Sequence, residues 1–185
     1  MRIIGGTSRG LHLTPVGEGD AKAHLRPTSD RVRESIFNLL INGGYGNPLN
    51  GARVLDVFAG TGALGLEALS RGAETATFLE NGAAASALLK RNIALMRAGQ
   101  RCTYLKRDAT KPGPNPAPPF DLVFLDPPYG QALGEAALTA LQHWIAPGAL
   151  IIWEESTPPR PPAGFAQLDQ RKYGDTLITV LQADA

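Results

Sequence analysis

From residue 53 onward, short apolar runs of strand character alternate with stretches of helical spacing, and that alternation leaves few folds open. The strand candidates are Arg53–Phe58, Thr75–Leu79, Cys102–Leu105, Asp121–Leu125, Ala149–Trp153 and Thr176–Leu181. Helical segments fall near 62–71, 82–98 and 131–146. Strands joined by such helices form βαβ units with right-handed crossovers, which predicts an α/β fold on a largely parallel sheet. Segments 165–172 and 176–182, with Gly174-Asp175 between them, have hairpin spacing and predict an antiparallel close.

Ahead of this region, Ile3-Ile4 and the alternating Leu11 and Leu13 lie between turns at Gly5-Gly6 and Gly17. The pattern suits a short β-hairpin-like arm over residues 1–25, followed by one globular unit over 26–185. From Thr28, read as an N-cap behind Pro27, Val32, Ile36 and Leu39-Leu40 share a helical face, and Asn42-Gly43-Gly44 stops the helix.

At 185 residues, with 43% apolar and 19% charged, the chain is long enough for one sizeable core and is not of disordered composition. Lys and Arg number 18 against 17 acids, so net charge argues for no polyanionic partner. Its distribution says more. Arg2, Arg9, Lys22, Arg26, Arg31 and Arg33 crowd the first 33 residues against Glu18, Asp20 and Asp30, which fits a nucleic-acid footprint or a solvated basic face. Cys102 is the sole cysteine, which excludes an intrachain disulfide and a thiolate cluster, and it reads as a buried structural thiol. No apolar run approaches the roughly 18 residues of a membrane span, and Met1–Gly6 is too short in apolar residues for a secretory signal. The expectation is a cytoplasmic protein, monomeric, without membrane or metal. Residues 111–119, dense in proline, can form neither helix nor central strand. They read as a solvent-exposed loop, with a ligand for an aromatic groove as the alternative.

Asp126-Pro127-Pro128-Tyr129 closes the strand Asp121–Leu125, at the carboxyl edge where open α/β sheets bind ligands. The Asp126 carboxylate can accept one N–H of an exocyclic amine. The Pro127 carbonyl, held by a fixed φ, can accept the other, Pro128 keeps the turn rigid, and Tyr129 offers a stacking face. That is a grip on a planar base. A second constellation precedes it. Asp56 and Phe58 lead into the glycine turn Gly60-Thr61-Gly62, which opens a helix at once. An acid at Asp56 would repel a pyrophosphate, so a dinucleotide is disfavoured, and a ligand with an ammonium and a sulfonium is favoured. Glu80, with Asn81 beside it, lies where a carboxylate accepts ribose hydroxyls. Asp108, with Ala109, follows the third strand, where it could accept an adenine amino group. Acids at three successive strand ends beside a glycine turn indicate S-adenosyl-L-methionine.

In this order, Gly60-Thr61-Gly62, Glu80, Asp108 and Asp126–Tyr129 resemble the class I SAM-dependent amino-methyltransferases. Met1–Gly6 with Arg9-Gly10, Arg26–Glu34, Phe58–Ala68, Asp121–Tyr129 and Tyr173–Thr176 resemble one family among them, the bacterial 16S ribosomal RNA (guanine-N2)-methyltransferases. The resemblance covers nearly the whole chain. It departs in two places: Arg9–His12 is less basic than usual, and the 112–119 loop looks longer. It implies a Rossmann-like seven-stranded sheet with helices on both faces and the last strand antiparallel. It also implies methyl transfer to the N2 amine of guanine 966 in 16S rRNA, on RNA or the assembling small ribosomal subunit. Arg26 and Thr28 would help hold the methionine end of the cofactor, and Arg2, Arg9, Arg31 and Arg33 would contact RNA.

The base grip alone does not choose the substrate, because DNA adenine and cytosine amino-methyltransferases use the same motif. A sequence-reading DNA enzyme needs an added recognition region, and about 55 residues follow Tyr129, mostly spent on the sheet. Such a body suits a target presented by folded RNA. Protein glutamine methylation ranks third, since such enzymes usually carry Asn at the position of Asp126. A non-catalytic binding module would have lost some of Asp56, Glu80, Asp108, Asp126 and Tyr129, and all are present.

Overall fold

The computed structural model describes residues 1–16 and 28–185. Among these, seven strands form one sheet: β1 (Arg53–Val57), β2 (Thr75–Leu79), β3 (Cys102–Leu105), β4 (Phe120–Leu125), β5 (Ile145–Glu155), β6 (Phe165–Tyr173) and β7 (Thr176–Ala183). Their spatial order is β3-β2-β1-β4-β5-β7-β6. Neighbours from β3 through β5 pair in parallel, and β7 runs antiparallel to both β5 and β6. The order reverses between β1 and β4, which creates the crevice where open α/β sheets take ligands.

Four α-helices cover the sheet among the described residues: α1 (Asp30–Asn42), α2 (Ala63–Ser70), α3 (Ala83–Leu95) and α4 (Leu133–Leu141). Val54, Leu122, Phe124 and Ile152 pack with Phe37 and Leu40 of α1, Leu66 of α2 and Leu89 of α3. Their chain neighbours Leu55, Val123, Leu125 and Ile151 face the other way, onto Ala137, Leu138 and Leu141 of α4 and onto Trp144. The period of two puts successive side chains on opposite faces, and both faces are covered. That is why β1 and β4 read as unbroken apolar runs rather than as alternation.

The start of α1 differs from the sequence expectation by one residue. Ser29 is the N-cap, its hydroxyl accepting from Val32 N–H at 3.2 Å. Thr28 is thereby released for the crevice. Strand β5 begins earlier and ends later than the expected 149–153, running through Glu155. No helix lies between β3 and β4 among the described residues. The proline-rich segment makes that crossover instead, fastened by Arg107 Nη1 donating to the carbonyls of Pro112 and Pro114, each at 2.9 Å. Trp144 Nε1 donates to Gly113 O at 3.1 Å, and Ala109 and Ala117 join the α4-side core. Prolines carry no amide hydrogen, so few donors are stranded where a helix would have satisfied them.

Residues 1–13 form a hairpin-like arm, with Ile3 N–H donating to Leu11 O at 2.9 Å and Leu13 N–H to Met1 O at 3.1 Å. Ile3 and Leu13 enter the α1-side core. Glu67 on α2 holds the arm: its two carboxylate oxygens accept from Ile4 N–H and Gly5 N–H, both at 2.8 Å. Gly6, at φ 78°, passes so close to α2 that a Cβ would stand 1.8 Å from Ser70 O. Gly17, expected at a turn, and Arg26, expected at the cofactor, lie outside the described residues.

Arg33, expected to contact RNA, is corrected here. It is 0% exposed, with Nε 3.7 Å from Glu67 and Nη2 2.9 Å from Asp30, and it also donates to the carbonyl of Arg2. A guanidinium enclosed in the interior against Glu67, with Asp30 and a carbonyl as its other partners, is not available to a phosphate.

Candidate active site

The carboxyl ends of β1, β2, β4 and β5 open into a cavity of about 1460 Å³. Thr28, Arg31, Asp56, Phe58, Gly60, Thr61, Glu80, Asn81, Asp126, Pro127, Pro128 and Tyr129 all line it. Besides Arg33, five residues expected at the site fall elsewhere. Gly62 caps α2 at φ 78° rather than lining the wall. Asp108 is exposed, Ala109 is buried in the α4-side core, and neither lines the cavity. Arg2 and Arg9 are exposed on the arm, away from this wall.

The glycine turn is built by backbone geometry. Phe58, Gly60 and Gly62 all take left-handed φ, at 58°, 56° and 78°. For phenylalanine this conformation costs on the order of 1 kcal/mol or more, held here by the surrounding structure. The Glu80 carboxylate ties the turn to the next one, accepting from Gly60 N–H at 2.9 Å and Gly82 N–H at 2.7 Å. Asp56, 1% exposed, accepts from Gly65 N–H at 2.9 Å. Burial pushes its carboxyl up to about 8, with Glu80 adding to the rise and the Gly65 hydrogen bond opposing it. Asp108 moves the other way: hydrogen bonds from the Thr110 hydroxyl and amide, each 2.8 Å, hold its carboxyl below the ordinary value.

The far wall is a cluster around Asp126. The Thr28 hydroxyl lies 3.3 Å from Asp126 Oδ2 and 3.1 Å from Glu154 Oε2. Tyr129 Oη donates to Glu154 Oε1 at 2.9 Å. Burial raises the Asp126 carboxyl well above its usual range, and the nearby charges of Glu154 and Asp56 raise it further. Burial and then Glu154 also raise the Tyr129 phenol, so this ring stays neutral and donates. Glu154 was missed by sequence reading, because β5 was expected to stop at Trp153. The signal was present: Glu154 is an acid at the end of a strand, like the acids already singled out.

The rim is completed by Lys172, Tyr173, Gly174, Asp175 and Thr176 at the turn between β6 and β7. Arg31 is exposed there, on the first turn of α1. Among the described residues, no group of three or more His, Cys, Asp or Glu is placed to hold a metal, and no helix is long and apolar enough to cross a membrane.

A sheet of this order, with one antiparallel strand and a glycine turn beside strand-end acids, defines a class I methyltransferase. Residues 1–182 match the family described as Conserved hypothetical protein 95. Ribosomal RNA small subunit methyltransferase D of Escherichia coli (strain K12) is 38% identical over 190 residues, covering 100% of this chain and 91% of that protein. The protein of the same name from Haemophilus influenzae is 36% identical over 181 residues, covering 94% of this chain and 89% of its own length. The solved structure of yhhF from Escherichia coli superposes with a TM-score of 0.83 at 35% identity, covering 100% of this chain and 98% of that one. The chain belongs to this family of methyltransferases, which implies an S-adenosylmethionine-type cofactor.

Proposed function

We propose that this chain methylates the exocyclic N2 amine of guanine 966 in 16S rRNA, using S-adenosyl-L-methionine, on the RNA or the assembling small subunit. The observation that carries the reading is Asp126-Pro127-Pro128-Tyr129 on the wall of the same cavity as the glycine turn and Glu80. The names of the relatives supply the ribosomal substrate class. The reading takes the chain to act as a monomer, and the substrate suits the cytoplasm.

The residues present fit that cofactor. Gly60 has no side chain to crowd a ligand, and Glu80 holds the turn in place with both carboxylate oxygens on the cavity wall. Asp56 would hold a cationic amine and Glu80 ribose hydroxyls, with Phe58, Thr61 and Asn81 around them. Thr28 belongs to the same wall. When bound, S-adenosylmethionine supplies an electrophilic methyl group on a sulfonium.

Guanine N2 is a weak nucleophile because its lone pair is delocalised into the ring. Asp126 and the Pro127 carbonyl accept its two hydrogens, which localises the lone pair and aims it out of the ring plane. Tyr129, its hydroxyl anchored on Glu154, stacks on a base that has left its own helix or loop. As positive charge develops on N2, an ionised Asp126 stabilises it until one N2 proton leaves, which gives the neutral methylated amine. Fixing this geometry can supply several kcal/mol of the barrier reduction.

The test is radiolabelled methyl transfer to unmodified small subunits, naked small-subunit RNA and duplex DNA, with digestion to nucleosides. N2-methylguanosine from subunits or RNA is expected, and label confined to DNA overturns the substrate. Asp126→Ala should lower turnover by on the order of a hundredfold or more with cofactor binding retained. Near-normal turnover refutes the role of Asp126.

A further inference from the structure

Helix α3 turns one face to the core: Ala85, Ser86, Leu89 and Asn92 are its buried residues, at helical spacing. Leu89 packs so close to Gly62 that a Cβ there would clash. One turn further on, the same face carries an amide, Asn92, with 0% exposure. A polar side chain in such a position is costly unless its hydrogen bonds are met. Here they are met by two segments far apart in the chain. Asn92 Oδ1 accepts from Thr14 N–H at 2.8 Å, and Nδ2 donates to Thr61 O at 2.9 Å. A backbone N–H can only donate and a carbonyl only accept, so the partners fix this orientation of the amide.

Those partners belong to the arm and to the glycine turn. Thr61, between Gly60 and Gly62, lines the cavity, and so does Val16, just beyond Thr14. Glu67 and Ser70 on α2 also hold the arm, yet neither lines the cavity. The Thr61 hydroxyl reaches Met1 Sδ at 3.7 Å, but a thioether is a weak acceptor. Asn92 is therefore the strong tie between arm and turn among the described residues, although it lines no part of the cavity itself. We infer that Asn92 is a positioning residue that joins the seat of the arm to the glycine turn, so that filling the cofactor site fixes the arm at Thr14; this rests on the cofactor proposed above. A ligand that orders the turn holds Thr61 O in place, Thr61 O holds the amide, and the amide holds Thr14. By linkage the dependence is reciprocal: RNA that steadies the arm through the exposed Arg2 and Arg9 favours the cofactor in return.

The experiment is amide hydrogen exchange read by NMR, with and without S-adenosyl-L-homocysteine, the product the proposed reaction leaves, at concentrations that saturate each protein. In wild type the ligand should slow exchange at Thr14 by on the order of fivefold to a hundredfold, the usual size of coupling between two sites. Asn92→Ala removes both hydrogen bonds and keeps a good helix former in α3. In that variant the slowing at Thr14 should fall to within about twofold. Phe124, enclosed in the middle of the sheet, reports global opening, and its exchange should still slow in the variant, which shows that the ligand is bound.

If Asn92 only stabilises the fold, the variant melts lower but the ligand slows Thr14 as it does in wild type. If the ligand protects Thr14 by touching its neighbour Val16, the slowing also survives in the variant. Either result, or no slowing at Thr14 in wild type that binds the ligand, overturns the inference. Should Asn92→Ala fail to fold or to bind, the wild-type side chain serves instead. Its Nδ2 hydrogens must themselves exchange more slowly with ligand bound, and an unchanged rate overturns the assignment. Wild type that binds no ligand overturns the proposed cofactor, so the two failures are distinct.

Discussion

Replacing Glu67 with alanine removes, from a side chain with 0% exposure, the acceptor for two amides of the arm and the partner of two arginines. Arg71 Nε stands 2.7 Å from one oxygen and Arg33 Nε 3.7 Å from the other. Arg71 is near the surface and can turn to water. Arg33 cannot, because its side chain is wholly enclosed. Arg33 keeps Asp30 at 2.9 Å, so losing Glu67 should cost less than the about 3–5 kcal/mol of stranding a buried cation outright. The Ile4 and Gly5 amides add less than their full ~1–3 kcal/mol each, since both residues are only partly buried and can rehydrate. For a chain of this length each kcal/mol lowers Tm by about 2–4 °C, so Glu67→Ala should melt below wild type by roughly 2 °C at the least and about 20 °C at the most. Denaturant unfolding should show the loss in the midpoint, with the slope confirming an unchanged reference state. A loss under about 1 kcal/mol would refute the claim that Glu67 binds arm, α1 and α2 together. The double variant Arg33→Met, Glu67→Leu sharpens the test: it should be less damaged than the sum of its single changes, because neither charge is left alone. Strict additivity would mean that the two residues do not act as a unit.

Asp56 should make stability fall with pH. Its folded carboxyl sits at about 8, above an unfolded value near 3.9, so its contribution is full below about pH 4 and is lost as pH rises through 8. Asp56→Asn lacks that loss, and denaturation from pH 4 to 8.5 should show the variant gaining steadily on wild type. A constant difference would refute the shift. At Gly65 an added Cβ would lie 2.5 Å from Phe78 Cε1 and 3.1 Å from Asp56 Oδ2. Gly65→Ala should therefore cost about 1–3 kcal/mol and weaken cofactor binding through Asp56, read by melting and by titration with the cofactor.

The parallel sheet and its switch point were legible because β1, β4 and β5 are covered on both faces, which leaves long apolar runs that only strands of such a sheet carry. The base grip was legible because Asp126–Tyr129 is contiguous. Contacts across the sequence were not. Ser29 and Thr28 are equally good N-caps by composition, and only the location of Asp126 and Glu154 shows why Ser29 caps while Thr28 turns inward. Arg33 carries the same charge as Arg31, two residues earlier, yet helical spacing turns one to the core and leaves the other at the cavity rim. Glu154 escaped because Trp153-Glu154-Glu155 breaks the apolar pattern of β5, although the sheet buries both acids. Asp108 fits the strand-end rule, but it spends its carboxylate on Thr110 in a local turn outside the cavity wall.

At high concentration a sheet protein is most exposed to self-association along its outermost strands, where unpaired N–H and C=O groups can template another chain. Here one outer strand, β3, has only four residues. The other, β6, loses register between Gln167 and Asp169 and carries Asp169, Arg171 and Lys172 along its length. The exposed Leu168 falls inside that irregularity, off any straight ladder a second copy could extend. Concentrated solutions of this protein should therefore remain dispersed and free of fibrils, and a Leu168 side chain in open solvent should be tolerated.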